Sequence, residues 1–444
     1  VAVFDAGPLS TEEGGVDVQR ILKHIESRLH RIPRYRQKLS FTPVQRHPVW
    51  VDDEHFNLHY HVRHTSLPRP GDDRALRNLA GRVLSQRLDR GRPLWEIWIV
   101  EGLEGGRFAL LGKVHHCMVD GAAGVSLLTL LLSAQPDEEV EAPPEWIPRR
   151  HPSALRLFLE ETARRARSPF RLARLLGRAL RDPAHARARV EESVMAIREA
   201  LSAGLRLPAN TPMNRPIGPH RRIAWRSIDL TSIKEVKDRL GGTVNDVVLA
   251  VAAGAVRRFL QRRGALTQGL DYRVVIPVNM RSGAADATAA NRVSAFFLSL
   301  PVYEPDPLRR FEQIRAETRR LKRSKAAEGI DLFTQAMEWS GSTLLTLAGV
   351  RLAARVQPYN LIVTNVPGPQ FPLYLLGSQM LEMYPQLPLF ENQGLGVGVM
   401  SYHGRVHWGL MADYDLVPDL EQMGDGIESA FEELREASAG VASV

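Results

Sequence analysis

Polar and apolar positions change period several times along this chain, and each change marks an element. In residues 16–32, Val18, Ile21, Ile25 and Leu29 recur near helical spacing with Arg and Lys between them, which predicts a helix with one face in a core. A second helical stretch covers residues 75–88. WEIWIV (95–100) and RFALLGKV (107–114) read as two strands, and the Gly-rich segment 102–106 between them predicts a hairpin. AAGVSLLTLLLSA (122–134) is apolar on most sides and predicts a buried helix. The histidine-dotted segment FNLHYHVRH (56–64) is read as extended. Alternation there sends neighbouring histidines to opposite faces, which favours surface or hydrogen-bonding roles over metal ligation.

After the Pro- and acid-rich segment PDEEVEAPPEWIP (136–148), which reads as a linker, residues 149–207 are arginine-rich and helical. Their leucines recur at three- and four-residue steps, as an amphipathic crossover or an interfacial helix on anionic lipid would require. The pattern then alternates again. RIAWRSIDL (222–230) predicts a strand, TSIKEVKDRL (231–240) a helix capped by Thr231, and residues 243–263 a longer buried helix capped by Thr243 or Asn245. Further strands are predicted within 272–280, 293–302, 359–366, 394–403 and 405–414, with helices over 307–325 and 420–437. A faint parallel links the halves: a hairpin, a polar motif and a helix occur at 96–132 and again at 396–437, where Asp413 and Asp415 stand in place of histidines.

At 444 residues the chain exceeds what one hydrophobic core usually serves. The expected organisation is an α/β domain over 1–148, a helical linker over 149–210 and a second α/β domain over 211–444. A hydrophobic fraction of 44% and a charged fraction of 24% are those of a folded soluble protein rather than a disordered one. The net charge of +8 favours anionic partners such as phosphate esters or anionic lipid. No nucleic-acid-binding module is recognised, so nucleic acid is not expected as a partner. The single cysteine, Cys117, excludes an intramolecular disulfide and a cysteine metal cluster and suggests an intracellular protein. No apolar run reaches the roughly 18 residues that span a bilayer, so any membrane association is expected to be peripheral.

Candidate chemistry concentrates where the second strand meets the buried helix, at His115-His116-Cys117-Met118-Val119-Asp120-Gly121. A histidine at such a corner is held by rigid elements, and its near-neutral pKa suits it to take a proton from an alcohol or thiol during group transfer. Asp120 is placed to orient a histidine or a neighbouring cation, and Gly121 removes a side chain where the backbone turns or a substrate passes. A pair that only hydrogen-bonds backbone remains an alternative. Metal binding by His115, His116 and Asp120 is disfavoured because adjacent strand residues diverge and no fourth ligand stands out. Cys117 is read as packing.

His115-His116-x-x-x-Asp120-Gly121 resembles the signature of the acyltransferase superfamily that contains chloramphenicol acetyltransferase, carnitine acyltransferases and peptide-synthetase condensation domains. Pro93-Leu94-Trp95, Asn245-Asp246, the segment from Pro277 to Arg281, the segment from Thr364 to Pro369 and the closing SYHGRVHWGLMADYDLVPD are together similar to the bacterial wax ester synthase/acyl-CoA:diacylglycerol acyltransferase family. The resemblance runs in order along essentially the whole chain. It departs at Ala290, where glycine is usual, and in the segment with which family members usually begin, which the sequence as given does not carry.

The resemblance implies two chloramphenicol acetyltransferase-like domains, each a mixed sheet covered by helices. It also implies transfer of a fatty acyl group from acyl-CoA, a co-substrate rather than a cofactor, to diacylglycerol or a fatty alcohol. His116 would be the general base, His115 a support, and Asp120 a structural partner of Arg281. Asn245 would donate to the oxyanion with Thr364 or Asn365 behind it, and Pro93, Leu94, Trp95, Pro367 and Gly368 would lie at the substrate. No metal or resident cofactor is implied. The setting would be cytoplasmic, peripheral on the inner membrane face or on lipid droplets, with an anionic membrane or droplet surface as partner. A condensation-type enzyme using a carrier-bound thioester and a non-catalytic lipid-binding protein are the competing readings.

Overall fold

The computed structural model describes residues 1–44, 46–118, 130–136, 140–166, 208–279, 293–323 and 359–440. In chain order, the first half contains β1 (Ala2–Asp5), α1 (Val18–Arg28), β2 (Gln37–Phe41), β3 (Pro48–Asp52), α2 (Leu58–His61), β4 (Val62–Ser66), α3 (Asp73–Ser85), β5 (Trp95–Leu103) and β6 (Arg107–Val114). Then follow α4 (Ala154–Ala166), β7 (Arg221–Asp229), α5 (Leu230–Arg239), α6 (Val244–Arg262), β8 (Tyr272–Asn279), β9 (Val293–Leu300) and α7 (Pro307–Arg323). The chain closes with β10 (Leu361–Pro367), β11 (Tyr374–Leu375), β12 (Ser378–Met383), β13 (Leu395–Tyr402), β14 (Arg405–Asp413) and α8 (Leu420–Ala439).

Two six-stranded mixed sheets organise the molecule, one in the order β11-β12-β1-β6-β5-β4 and the other in the order β7-β14-β13-β10-β8-β9. Parallel pairs, β4 with β5 and β10 with both β8 and β13, sit among antiparallel ones. This is the α/β architecture expected for both halves. The first sheet is buried on both faces, which explains why the run VAVF lacks a polar alternation. Ala2 and Phe4 meet Ile21 and Ile25 of α1 on one side. Val1 and Val3 meet Leu76, Ala80 and Val83 of α3 on the other, together with Ile223, Trp225 and Met411 from the second sheet. Helix α3 is thus the layer between the sheets, and its Ser85 hydroxyl oxygen accepts the Arg221 N–H of β7 at 2.8 Å.

The second sheet packs Val397, Val399, Trp408 and Leu410 against α5, α6, α7 and α8 in the largest apolar cluster of the described residues. Its opposite face carries Gly396, Gly398 and Gly409, over which residues 385–389 lie. A Cβ on Gly409 would fall 1.7 Å from the Pro385 carbonyl oxygen, so the glycines exist to let this segment approach the sheet.

Two local expectations are corrected, and one unassigned stretch finds its place. Within 56–64 the backbone forms the single turn α2 before strand β4, because the Asn57 side chain caps it by accepting the His59 N–H at 3.0 Å. Helix α5 is capped by Asp229, whose carboxylate accepts the Ser232 N–H at 2.7 Å, and Thr231 lies inside it; β7 runs directly into the helix with no intervening loop. Residues 374–383, to which the sequence pattern assigns nothing, return to the first sheet, where β12 pairs antiparallel with β1. The arginine-rich stretch is helical over α4, which exposes Leu155, Phe158 and Leu159, and its continuation from 167 lies outside the described residues.

Candidate active site

Strand β6 ends opposite the start of β5, where Val114 pairs with Trp95. The next residue is fastened at once: the His115 N–H donates to the Leu94 carbonyl at 2.9 Å. A 3-10 turn, His116–Met118, follows, with the Met118 N–H donating to the His115 carbonyl at 2.9 Å. Met118 drops its side chain into the first core, while His115, His116 and Cys117 stay exposed. Within the turn the Cys117 N–H donates to His115 Nδ1 at 3.3 Å, and its Sγ lies 3.0 Å from the same nitrogen. Partial desolvation of the ring, with the charges of Arg90 and His116 added, holds His115 below the usual histidine pKa. His115 therefore braces the turn that presents His116.

Pro93, Leu94 and Trp95, given a place at the substrate by the resemblance, lie behind that turn. Trp95 is fully buried, its indole N–H donates to the Tyr35 carbonyl at 2.8 Å, and its ring stacks on His61 at 4.7 Å. His61 Nδ1 in turn sits 2.8 Å from the Trp95 carbonyl oxygen. These residues anchor the histidine turn to the core, and their described contacts are with the chain itself.

A second group forms on the other sheet. Thr243 is the N-cap of α6, with a reciprocal capping box in which Asp246 Oδ2 accepts the Thr243 N–H at 2.8 Å. Asp246 is 2% exposed, and its other oxygen accepts the Thr318 hydroxyl of α7 at 2.7 Å. Asn245, between cap and carboxylate, is held in the first turn of a long helix. Its Oδ1 accepts the Asn365 side-chain N–H of β10 at 3.4 Å. Thr364 precedes it on β10, opposite Gly398. At the end of the strand Pro367 is exposed and Gly368 is pressed against β13, where a Cβ would stand 2.3 Å from the Ser401 carbonyl oxygen.

Asn245 and Asn365 are thus brought together, as are His115 and Leu94. The two groups stand on separate sheets, linked by the chain after Gly368. That chain reaches Tyr374, which exchanges two backbone hydrogen bonds with Ser133, a residue that follows the histidine turn in the sequence. Asp120, Gly121 and Arg281 lie outside the described residues. Among the described residues no group of three or more His, Cys, Asp or Glu is arranged to hold a metal. No single helix there is long and apolar enough to cross a membrane; α5 and α6 pass such a test only as a pair bent by 99°.

Sequence reasoning missed Thr318 and assigned Asp246 no contact of its own. The signal available was the T-x-x-D spacing of Thr243 and Asp246, a capping box with aspartate in the N3 place; nothing in the sequence pointed to α7. Asp246→Ala removes the acceptor of the Thr318 hydroxyl and of two donors of Thr243, and is expected to cost about 1–3 kcal/mol. A thermal melt would show it, and an unchanged melting temperature would remove Asp246 from the packing of α6 on α7.

Two layered mixed sheets with a histidine turn at the exit of a central hairpin give this chain a fold that condensation domains share. The starter condensation domain of rhizomide synthetase shares the fold at TM-score 0.55 and 12% identity, over all of this chain and 89% of that one. The wax ester synthase/diacylglycerol acyltransferase of Marinobacter aquaeolei VT8 is similar at TM-score 0.68 and 28% identity, over 99% of this chain and 93% of that one. The pattern of the wax ester synthase/diacylglycerol acyltransferase catalytic domain matches residues 1–248, and that of the WS/DGAT C-terminal domain matches residues 289–435. A Mycobacterium tuberculosis protein named "Probable diacyglycerol O-acyltransferase tgs1" is 33% identical over 96% of this chain and 89% of its own length. Another, named "Probable diacyglycerol O-acyltransferase tgs2", is 34% identical over 88% of this chain and 84% of its own. The chain belongs to the wax ester synthase/diacylglycerol acyltransferase family, and it is an O-acyltransferase.

Proposed function

We propose that this enzyme transfers a long-chain acyl group from acyl-CoA to the hydroxyl of diacylglycerol, a fatty alcohol, or both, with His116 as general base. The observation that carries this reading is the presentation of His116: an exposed imidazole on a turn fixed by Leu94, His115 and Met118, at the exit of a central strand. His116 takes the acceptor's proton as its oxygen attacks the thioester carbonyl. The tetrahedral oxyanion is met by the Asn245 amide, whose carbonyl end is engaged by Asn365. Collapse breaks the carbon–sulfur bond, and the departing thiolate recovers the proton from His116. No resident cofactor enters this sequence. Asp120 pairs with Arg281 in the same reading.

The acceptors are lipids, so the enzyme works at an anionic membrane or droplet surface on the cytoplasmic side. Support comes from exposed apolar side chains on neighbouring elements: Leu155, Phe158 and Leu159 on α4, and Phe41 and Val44 at the β2–β3 turn. The two elements are joined where His151 Nε2 lies 3.1 Å from the Ser40 hydroxyl. The test is release of free coenzyme A from palmitoyl-CoA with diolein or hexadecanol, presented in vesicles with or without phosphatidylglycerol. Release that depends on an acceptor and rises with anionic lipid is expected. Acceptor-independent release would sink the transfer, and indifference to the lipid would sink the surface.

A further inference from the structure

The histidine turn is flanked by arginines that have no carboxylate partner among the described residues. From residue 28 to residue 51 the sequence holds six Arg or Lys and no Asp or Glu. Most of these cations are engaged elsewhere: Arg28 donates to the Leu130 carbonyl, Arg31 pairs with Glu141, Lys38 pairs with Asp53, and Arg36 is folded under the Trp146 ring. Arg34 differs. It sits on the 3-10 turn Pro33–Arg36, half-buried, with its guanidinium carbon 4.5 Å from the centre of the Trp50 ring. Its Nη1 is buried and has no hydrogen-bond partner among the described residues.

This turn is pinned to the motif through the adjacent residue. The Tyr35 carbonyl accepts the Trp95 indole N–H at 2.8 Å, the two rings pack at 5.5 Å, and the neighbouring Leu94 carbonyl holds His115. Arg34 is consequently fixed beside the histidine turn, and the ionisable group acting on it is Cys117, the residue after His116. Arg90, in the loop ahead of Pro93, also contributes to the positive field at His115. A guanidinium that is partly desolvated and stacked but unpaired is held at a cost, and its planar fork is pre-organised for an anion that presents two oxygens to it. Phosphate esters offer oxygens in that arrangement.

We propose that Arg34 binds a phosphate group of the acyl donor, from which the pantetheine arm runs to the thioester at the histidine turn. The assignment rests on acyl-CoA being the donor. Phosphate chemistry is also offered by phospholipid headgroups, and the two donors below, with the vesicle measurement, separate the sources.

Arg34→Gln in the full chain is compared with wild type on two donors, palmitoyl-CoA and palmitoyl-N-acetylcysteamine, which carries the same thioester with no phosphate. The expected result is a rise of roughly ten- to hundredfold in KM for palmitoyl-CoA, kcat nearly unchanged, and no change for the phosphate-free donor. Arg31→Gln, which removes a charge nearby, leaves both donors as in wild type. Equal losses on both donors, or none on either, overturn the assignment. So does a variant whose defect is confined to binding phosphatidylglycerol vesicles. Calorimetry with adenosine 3′,5′-bisphosphate separates this result from the fate of the proposed reaction. Binding by wild type and its loss in Arg34→Gln supports the clamp even if neither donor is turned over, and equal binding by both proteins overturns it.

Discussion

His116→Ala is expected to stay folded and to lose about 10²- to 10⁴-fold in kcat with palmitoyl-CoA and diolein, the contribution typical of a positioned general base. The fold should survive because the imidazole is exposed, and the backbone and His115 bonds that shape the turn remain in the variant. The loss should fall on kcat, since proton removal is needed only as the acceptor attacks. Circular dichroism and a thermal melt establish the first point, and steady-state rates the second. A variant that retained near-wild-type turnover would end the proposed role. Cys117→Ala is the companion measurement. Its thiol lies against the supporting histidine of the turn, so activity should persist, and a trapped acyl-thioester on Cys117 would replace the direct mechanism with a covalent one.

Asn245→Ala should lower kcat by about 10²- to 10³-fold, the usual consequence of removing one oxyanion donor. The substitution leaves the capping box intact, because Thr243 and Asp246 make it without the intervening side chain. Helix α6 should therefore melt as in wild type. What disappears is an amide at the positive end of a 19-residue helix, where partial charge already favours a developing anion. Because this donor matters only when the carbonyl oxygen becomes negative, KM for the acyl donor should hardly move. A change in KM with kcat intact would make Asn245 a binding residue and leave the oxyanion without its proposed donor.

Several of these features are legible in the amino-acid sequence alone. The strand periods of β5 and β6 and the glycines between them predict the hairpin that delivers the histidines, because alternation and turn chemistry are local properties. Thr243 is one of two capping candidates that its neighbours alone point to. The cap at Asp229, in place of Thr231, and the α2 turn, in place of an extended segment, differ from expectation because each is decided by one side chain at an element boundary. Pro93-Leu94-Trp95 is legible as a motif, but its burial under the histidine turn is not, since a tripeptide carries no record of which side faces solvent.

By itself the sequence determined the α/β class, the order of most elements, the identity of the histidine turn and the resemblance to the family, all of which are written in spacing along the chain. Tertiary structure decided the rest: that residues 374–383 complete the first sheet beside β1, that Thr318 holds Asp246, that Asn365 engages Asn245, and that the buried Arg34 nitrogen beside the histidine turn is left without a hydrogen-bond partner among the described residues. Each of these depends on residues tens to hundreds of positions apart. Contacts of that kind depend on which surfaces are buried together, and a period of two or of 3.6 residues says which face is apolar without saying what covers it.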